Sequence, residues 1–302
     1  MKFNEYGNPI YNYQDLSDEI ASLPVLKSNV IELVEAVENN YRIDSETLSL
    51  SIQKDQSLVA NVLKLARCSV LASRFRIETI TDAISVLGVE KIKDLAVASS
   101  FMNNLINKNP YKKGFDWKAF WQHCNAVGII SSILSKYLQK NENERFYTAG
   151  LLHDLGKMGA FCLAEEQMLG VASLARKHKI SFSQSEYITD SPRHDRLGHA
   201  ICVNWNLPEY LASTCLFHHV YSRERRPFER DEPINDFIDI TIIANHLSKK
   251  FEIGYSGHSY VDEPIEEALI NLGLNLNALN EIKPTILAEL KQVAIFEELP
   301  AA

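Results

Sequence analysis

Two neighbouring side chains in this sequence are suited to binding a metal ion. His153 and Asp154 stand side by side in the apolar stretch "YTAGLLHDLGKMGAF", residues 147 to 161. A buried carboxylate is costly unless it is paired or coordinated, and the pair offers a nitrogen and an oxygen donor within one helical turn. It therefore predicts a buried metal site if other segments supply further ligands. The alternative is that the histidines of this chain are ordinary polar groups of a packed core.

Two candidate partners are single histidines in the same half of the chain. His123 lies in "FWQHCNAVGIISSIL", in register with Val127 and Ile130, so its side chain is expected to face the interior. His194 precedes the segment "DRLGHAICVNWNLP". Either residue can supply an imidazole nitrogen to the predicted site.

A histidine pair offers two further ligands. His218 and His219 end the predicted helix "PEYLASTCLFHH". Adjacent helical residues point about 100° apart, so the pair indicates either a helix lying across the site or two metal ions. Imidazole and carboxylate ligands without thiolate suit iron, manganese, zinc or nickel, and Asp154 can bridge two such ions. We expect one or two divalent transition-metal ions.

Helices are expected to position these ligands, because apolar residues recur at three- and four-residue spacing nearly throughout and glycine and proline number only 12 and 10. The sequence predicts an all-α helical bundle. Gly88 is expected to separate two helices, and Gly156 and Gly159 are expected to bend or end another. Helices are predicted over 27–40, 45–55, 56–72, 79–106, 117–140 and 144–166, with loops at 181–192 and 223–233, the second a charged loop of solvated arginines.

Composition limits the function classes. The net charge of −8 over 302 residues argues against direct binding of nucleic acid. Five scattered cysteines without a C-x-x-C pair indicate reduced thiols, as in the cytoplasm. No segment reaches the ~20 apolar residues of a membrane span, so no membrane association is expected. The composition shift at "NKNPYKKGFD", residues 107 to 116, predicts an N-terminal helical subdomain, 1–112, and a second subdomain, 113–302.

The order of these residues resembles the HD superfamily of metal-dependent phosphohydrolases, and more narrowly the HDOD family of bacterial signalling proteins. The second half carries "FWQH" at 120–123, "AGLLHDLGK" at 149–157, Glu186 with His194, "WNLPE" at 205–209 and "HH" at 218–219. In the first half, from about residue 20, "LPVL" at 23–26, "IQKDQSLVANVLKLA" at 52–66 and "ITDAISVLGVEKIKDLAV" at 80–97 resemble the segment that distinguishes HDOD proteins. The resemblance implies an HD-domain-like bundle with an additional N-terminal helical subdomain.

The resemblance also implies roles for particular residues. Glu186, Gly198 and Trp205 lie at the family's spacings from His194, so His194 rather than His199 is the third histidine. In catalytic relatives the matching aspartate bridges two ions, the matching lysine contacts a substrate phosphate, and the ions activate water for attack on phosphorus. Asp154 and Lys157 are thus the implied catalytic residues, Glu186 is expected to hold a ligand histidine, and the implied metal ligands are His123, His153, Asp154, His194, His218 and His219.

Two departures bear on activity. The family's late aspartate is replaced by Asn245 in "IIANHLS", whose amide oxygen holds a transition metal less firmly than a carboxylate. The Gly-Tyr-Pro segment of the cyclic di-GMP hydrolases is missing after His219. We therefore expect a regulatory signal-transduction protein that keeps its metal site and acts with protein partners. The alternative is an active phosphohydrolase, a phosphomonoesterase or phosphodiesterase, acting on a nucleotide-type substrate.

Overall fold

Helices are the main secondary structure of the described chain, as the apolar spacing predicted. The structure is a computed structural model that describes residues 2–3, 9–10, 45–53, 59, 62–63, 66, 77–89, 92, 96, 114–140, 143–204, 207–227, 232–258 and 263–297. The strands among the described residues are β1 (Lys2–Phe3) and β2 (Pro9–Ile10), which pair as a two-residue antiparallel ladder. Within these residues, no helix has the length and apolar character that a membrane crossing requires.

The described residues form twelve α-helices. The first six are α1 (Ser45–Gln53), α2 (Ile80–Leu87), α3 (Trp117–Tyr137), α4 (Asn143–Leu152), α5 (Leu155–Leu163) and α6 (Glu165–His178). The next six are α7 (Phe182–Ile188), α8 (His194–Asn204), α9 (Glu209–Phe217), α10 (Glu232–Lys250), α11 (Glu266–Asn271) and α12 (Leu276–Glu297), with a 3-10 turn at Arg223–Arg225.

The N-terminal part is described only in places. Helix α1 confirms the helix predicted from residue 45, and α2 ends at Gly88, whose φ of 84° belongs to the region that favours glycine. Thr79 and Asp82 form a capping box at the start of α2. The helix predicted over 27–40 and the linker at 107–113 lie outside the described residues. The division into subdomains at residue 112 therefore stays a prediction.

Helix α3 lies at the centre of the bundle and packs against α4, α10 and α12. Every residue from 123 to 135 is buried, so the helix is enclosed on all sides rather than exposed along one face. Its neighbour α4 comes unusually close. A Cβ added to Gly128 would lie 2.9 Å from the Tyr147 carbonyl oxygen, and one on Gly150 would lie 2.7 Å from Ser131 Oγ. These two glycines let α3 and α4 pack backbone to backbone.

The predicted helix over 144–166 breaks three residues earlier than Gly156. Helix α4 ends at Leu152 and α5 begins at Leu155, so His153 and Asp154 form the corner between them. The expectation that Gly156 or Gly159 would bend or end the helix was wrong, because both lie inside α5. A Cβ on Gly156 would lie 1.8 Å from the His194 carbonyl oxygen. This glycine is required for the close packing of α5 on α8, not for a bend.

The predicted loop over 181–192 contains a helix, α7. The Ser181 side chain accepts a hydrogen bond from the Gln184 backbone N–H, and Gln184 Oε1 accepts one from the Ser181 N–H. This capping box is visible in the sequence as S-x-x-Q and marks a helix start. The serine-rich composition of the segment concealed it.

The arginines after the histidine pair were expected to be solvated, and for two of them this was wrong. Arg226 is buried and pairs with Asp239 of α10 at 2.8 Å. Arg223 donates to the same residue and pairs with Asp236 at 3.1 Å. Arg226 also donates to the carbonyl oxygen of Val220 at 2.7 Å. These contacts fix the segment that follows His219 against α10.

Candidate metal centre

The predicted ligands come together in two trios. His123, His153 and Asp154 form one, and His194, His218 and His219 form the other. In each trio, one donor atom from every residue lies within 4.8 Å of the other two. The structure therefore places all six residues where each trio can share an ion. His199 is half-buried and belongs to neither trio among the described residues.

The Asp154 carboxylate joins the trios. Its Oδ2 lies 3.3 Å from His153 Nε2. Its Oδ1 faces the other trio, at 3.4 Å from His194 Nε2 and 3.5 Å from His218 Nε2. Each carboxylate oxygen thus faces a different set of histidines, which is the arrangement that a carboxylate bridging two ions requires.

Helix ends supply most of these side chains. His153 and Asp154 occupy the corner between α4 and α5, and His194 is the first residue of α8. The helix expected to run through His219 is shorter, because α9 ends at Phe217 and His218 is its C-cap. With the helix ended, the 100° constraint no longer applies. The rings of His218 and His219 lie 5.4 and 5.0 Å from that of His194, centroid to centroid.

Four of the imidazoles are oriented by hydrogen bonds on their outer side. Each uses Nδ1 for this contact, which leaves Nε2 directed into the centre. Carbonyl and carboxylate oxygens can only accept, so for three of these rings Nδ1 carries the hydrogen and Nε2 presents a lone pair. The pairs are His153 with the Gly150 carbonyl (2.7 Å), His218 with the Cys215 carbonyl (2.9 Å), His194 with Glu186 Oε2 (2.7 Å) and His123 with Ser248 Oγ (3.1 Å).

Four of the inner atoms are left without hydrogen-bond partners, whereas Nε2 of His194 and Nε2 of His219 lie 3.0 Å apart. Nε2 of His123, His153 and His218 and Oδ1 of Asp154 are buried and make no hydrogen bond. Buried acceptors without donors are costly, and a cation is the group that satisfies several at once. Two ligands on one ion, each about 2.1 Å from it, lie about 3.0 to 3.4 Å apart in octahedral or tetrahedral geometry. The separations of 3.3 to 3.5 Å around Asp154 are close to this range.

The protonation states also suit metal binding. Burial lowers the pKa of His123, His194 and His219 well below the usual 6.5, and lowers that of His153 as well. These imidazoles are therefore neutral near pH 7. Burial opposes ionisation of Asp154, but the positive charge of the Lys157 ammonium favours it, and the pKa of Asp154 lies well below the usual value. The site offers neutral nitrogens around a charged carboxylate.

Lys157 is part of the centre. Its ammonium donates to Asp154 Oδ2 at 2.7 Å and to the Ser256 carbonyl at 2.9 Å, and it lies 4.9 Å from the centroid of the Phe182 ring. The lysine and the aspartate are both buried. A cation therefore already compensates the carboxylate oxygen that faces His153.

The two residues expected beside the ligands are buried. Glu186 Oε1 accepts the His194 backbone N–H at 3.1 Å while its Oε2 holds the ring, so it fixes His194 at two points. Burial raises the pKa of Glu186 well above its usual value. Asn245 lies one turn before Ser248 on α10, and its Oδ1 is buried without a hydrogen bond.

Several buried polar groups on α10 and in the chain after it were not predicted from the sequence. Lys249, Ser256, His258 and Glu263 come from the end of α10 and the chain that follows it, and all four are buried. Their order matches no ligand spacing, so no sequence signal pointed to them. Ser248, which contacts His123, was missed for the same reason.

A surface pocket of about 370 Å³ reaches the centre at His219. Its wall is mostly α7, with the side chains of Tyr187 and Ile188 exposed to solvent. The remaining lining residues are Ile180, Ser183, Gln184 and Arg193. The pocket gives solvent a route to one of the six ligand-type residues.

A helical bundle with His and Asp side chains around one centre is the arrangement expected from the residue order. The HDOD domain family matches residues 23–221, about two thirds of the chain. The chain belongs to the HDOD family, which confirms the resemblance seen in the residue order.

Similar proteins agree with this fold. An HDOD domain protein of unknown function from Geobacter sulfurreducens has a TM-score of 0.71 and 22% identity, over 95% of this chain and 97% of that one. A protein from Shewanella amazonensis SB2B, provisionally described as a phosphohydrolase, has a TM-score of 0.67 and 20% identity, over 94% and 97%. An uncharacterized protein of Treponema pallidum (strain Nichols) is 25% identical over 204 residues, 68% of this chain but 39% of that relative. At these identities the solved structures show the fold alone.

Proposed function

We propose that this chain is an HDOD signal-transduction protein whose His/Asp centre binds divalent transition metal, with the bound metal setting the stability of the surface offered to protein partners. The observation that carries the proposal is Asp154, whose two oxygens face two separate sets of histidines. The donors fit such a metal: imidazole and carboxylate without thiolate suit iron, manganese, nickel or zinc. Asp154 divides the donors so that two ions are favoured over one.

The chain's own residues prepare the site for an ion. Gly150, Cys215, Glu186 and Ser248 orient four imidazoles, so little reorganisation is needed when a cation enters. Ions in the two trios, which share Asp154, would tie together α3, the corner between α4 and α5, the start of α8 and the end of α9. Metal occupancy is thereby coupled to the packing of four segments.

A regulatory role is supported by Asn245 and by the closed character of the centre. Asn245 brings no charge to the position where the family carries its late aspartate, so one ion is held less firmly. Five of the six ligand-type residues are buried, and His219 is the partly exposed one.

The second candidate is a phosphohydrolase acting on a nucleotide-type phosphoester. It is favoured by the pocket at His219 and by Lys157, an ammonium held against Asp154 where it can neutralise phosphate charge. Bound divalent ions would supply Lewis acidity and activate water for hydrolysis.

Metal analysis of the purified protein tests the proposal directly. We expect one to two equivalents of iron, manganese, nickel or zinc, and a higher unfolding midpoint in the loaded protein than in chelator-treated protein. Asp154→Asn should lose the metal, and His199→Gln, which alters a histidine outside both trios, should keep it. Absence of metal from wild type after reconstitution with each of these ions would refute the proposal.

Phosphoesterase assays on simple esters and cyclic dinucleotides separate the two candidates. Metal binding without turnover supports the regulatory role. Turnover that is abolished by Asp154→Asn and kept by His199→Gln supports the enzyme.

A further inference from the structure

The two adjacent histidines of the centre lie in a tight turn beyond the end of a helix. Helix α9 ends at Phe217, and His218 and His219 follow it. The Val220 N–H donates to the Phe217 carbonyl at 2.8 Å, so the two histidines are the central residues of a β-turn. The directions of both imidazoles therefore depend on what fixes this turn at its two ends.

The two ends of the turn are fixed in different ways. At the entry, the His218 N–H donates to the Thr214 carbonyl at 3.1 Å, which continues the hydrogen-bond pattern of α9. At the exit, the Val220 carbonyl accepts two hydrogen bonds from one guanidinium, from Arg226 Nε at 2.9 Å and from Arg226 Nη2 at 2.7 Å. Arg226 thus holds the residue directly after His219.

The same guanidinium is attached to α10 at two points one helical turn apart. Its Nη1 donates to Asn235 Oδ1 at 3.1 Å, and its Nη2 lies 2.8 Å from Asp239 Oδ1. The side chains of Arg226 and Asp239 are both fully buried. Arg223 Nε donates to the other oxygen of Asp239 at 2.7 Å, so this carboxylate is held from a second side. Arg226 therefore joins the exit of the histidine turn to a fixed position on α10.

A buried arginine at this position provides direction more than stability. A buried ion pair often stabilises a fold no more than apolar side chains of the same volume would. The planar guanidinium, however, holds its acceptors at fixed angles, which an apolar side chain cannot do. Arg226 uses this geometry to fix a backbone carbonyl relative to a carboxylate, and the backbone that it fixes carries two of the six ligand-type residues.

The other trio is positioned by its helices. His123 lies within α3, and His153 and Asp154 form the corner between α4 and α5. A side chain that holds the exit of the turn should therefore act on the trio of His194, His218 and His219 more than on the other trio.

We propose that Arg226 is a positioning residue of the metal centre. Through the Val220 carbonyl it holds the turn that carries His218 and His219, and so it raises the metal affinity of the trio that they form with His194. Without this contact the turn would have to be ordered when an ion binds, and ordering lowers affinity. The inference rests on the proposed metal centre and adds a residue outside the ligand set on which one trio depends.

Chelator competition with iron, manganese, nickel and zinc as the probes tests the role of Arg226. Arg226→Met should lower metal affinity about tenfold or more, as the loss of a group that orients ligands does. Asp239 keeps Arg223 as its partner in this variant, so no uncompensated carboxylate is left in the core. Arg226→Lys keeps the positive charge but not the planar fork, and should lower metal affinity in the same direction with a smaller loss of stability.

Arg223→Met is the matched control. It takes a guanidinium from the same carboxylate and leaves the hydrogen bonds between Arg226 and Val220 in place. It should lower the free energy of unfolding of the metal-free protein but leave metal affinity as in wild type.

Double variants locate the effect at one trio, because changes that act on the same site do not add. In a His219→Gln background the turn already lacks one ligand, so Arg226→Met should lower metal affinity by a smaller factor than in wild type. In a Ser248→Ala background the altered contact belongs to His123 of the other trio, so Arg226→Met should act by its full factor. A general loss of stability would give the same factor in both backgrounds.

The outcomes separate this inference from the proposed function. Metal affinity that is unchanged in both Arg226→Met and Arg226→Lys overturns the positioning role and leaves the metal centre standing. Equal losses of affinity in Arg226→Met and Arg223→Met would assign the effect to the packing of α10, and equal factors in the two backgrounds would assign it to stability; either result overturns the role. Wild type that takes up none of the four ions removes the proposed function and this inference together.

Discussion

Replacing Lys157 with methionine should destabilise the metal-free protein far more than the metal-loaded one. Methionine keeps the aliphatic stem beside Phe182 but removes the ammonium that donates to Asp154 Oδ2 at 2.7 Å. Lys157 and Asp154 are 2% and 1% exposed, so the carboxylate would be left as a buried charge without its partner. Breaking such a pair costs about 3–5 kcal/mol. An ion bound to Asp154 would restore the compensating charge, so the loss should shrink when metal is present.

Urea unfolding followed by circular dichroism, with chelator and with manganese, measures the free energy of unfolding of the metal-free and the metal-loaded protein. Metal should stabilise Lys157→Met by more than it stabilises wild type. Lys140→Met is the matched control, because Lys140 pairs with Asp236 and is 35% exposed. Lys140→Met should lower the free energy of unfolding by no more than about 1 kcal/mol, and metal should stabilise this variant as much as it stabilises wild type. An equal loss for Lys157→Met with and without metal would refute the reasoning, since the ion would then not reach Asp154.

Two further predictions concern an outer hydrogen bond and a helix cap. In Glu186→Gln the side chain can accept a hydrogen bond from the His194 ring or from the His194 backbone N–H, but not from both. Metal affinity, measured by chelator competition, should therefore fall about 10–100-fold. An unchanged affinity would contradict the role given to Glu186. Asp82 accepts from the backbone N–H groups of Thr79 and Glu78, and the bonds with Thr79 chiefly lower its pKa below 3.8. The stabilisation that ionised Asp82 provides is therefore fully present above pH 3.8, and it is lost as the pH falls through the lower pKa that Asp82 has in the folded protein. Unfolding curves at pH 7 and below pH 3.8 give the difference in free energy of unfolding between wild type and Asp82→Asn. This difference should be smaller at the acidic pH. A difference that does not change with pH would contradict the prediction.

The ligand set was readable in the sequence because its chemistry is local. A histidine and an aspartate in an apolar stretch are costly to bury unless something binds them, and His123 keeps register with an apolar helix face. The lengths of the helices were less readable. Residues 144–166 carry helical periodicity throughout, yet the chain turns at His153 and Asp154. Periodicity reports which face is apolar and does not report where a corner between two helices falls.

Contacts distant in sequence account for the groups that were missed. The Ser256 carbonyl reaches Lys157 because Gly254 lets the chain lie directly on the backbone of α3. Arg226 looked solvated within a charged segment, but it pairs with Asp239, thirteen residues further along the chain on α10. Neither neighbour is close enough in the chain for spacing to reveal it.

The sequence by itself determined the helical class, the family and the six metal-ligand candidates, since apolar spacing and residue order are properties of the chain alone. Only the tertiary structure decided that the two oxygens of Asp154 face different histidine trios and that Lys157 compensates that carboxylate. Distances between groups far apart in the chain depend on how helices pack, and that packing is fixed by many weak contacts acting together.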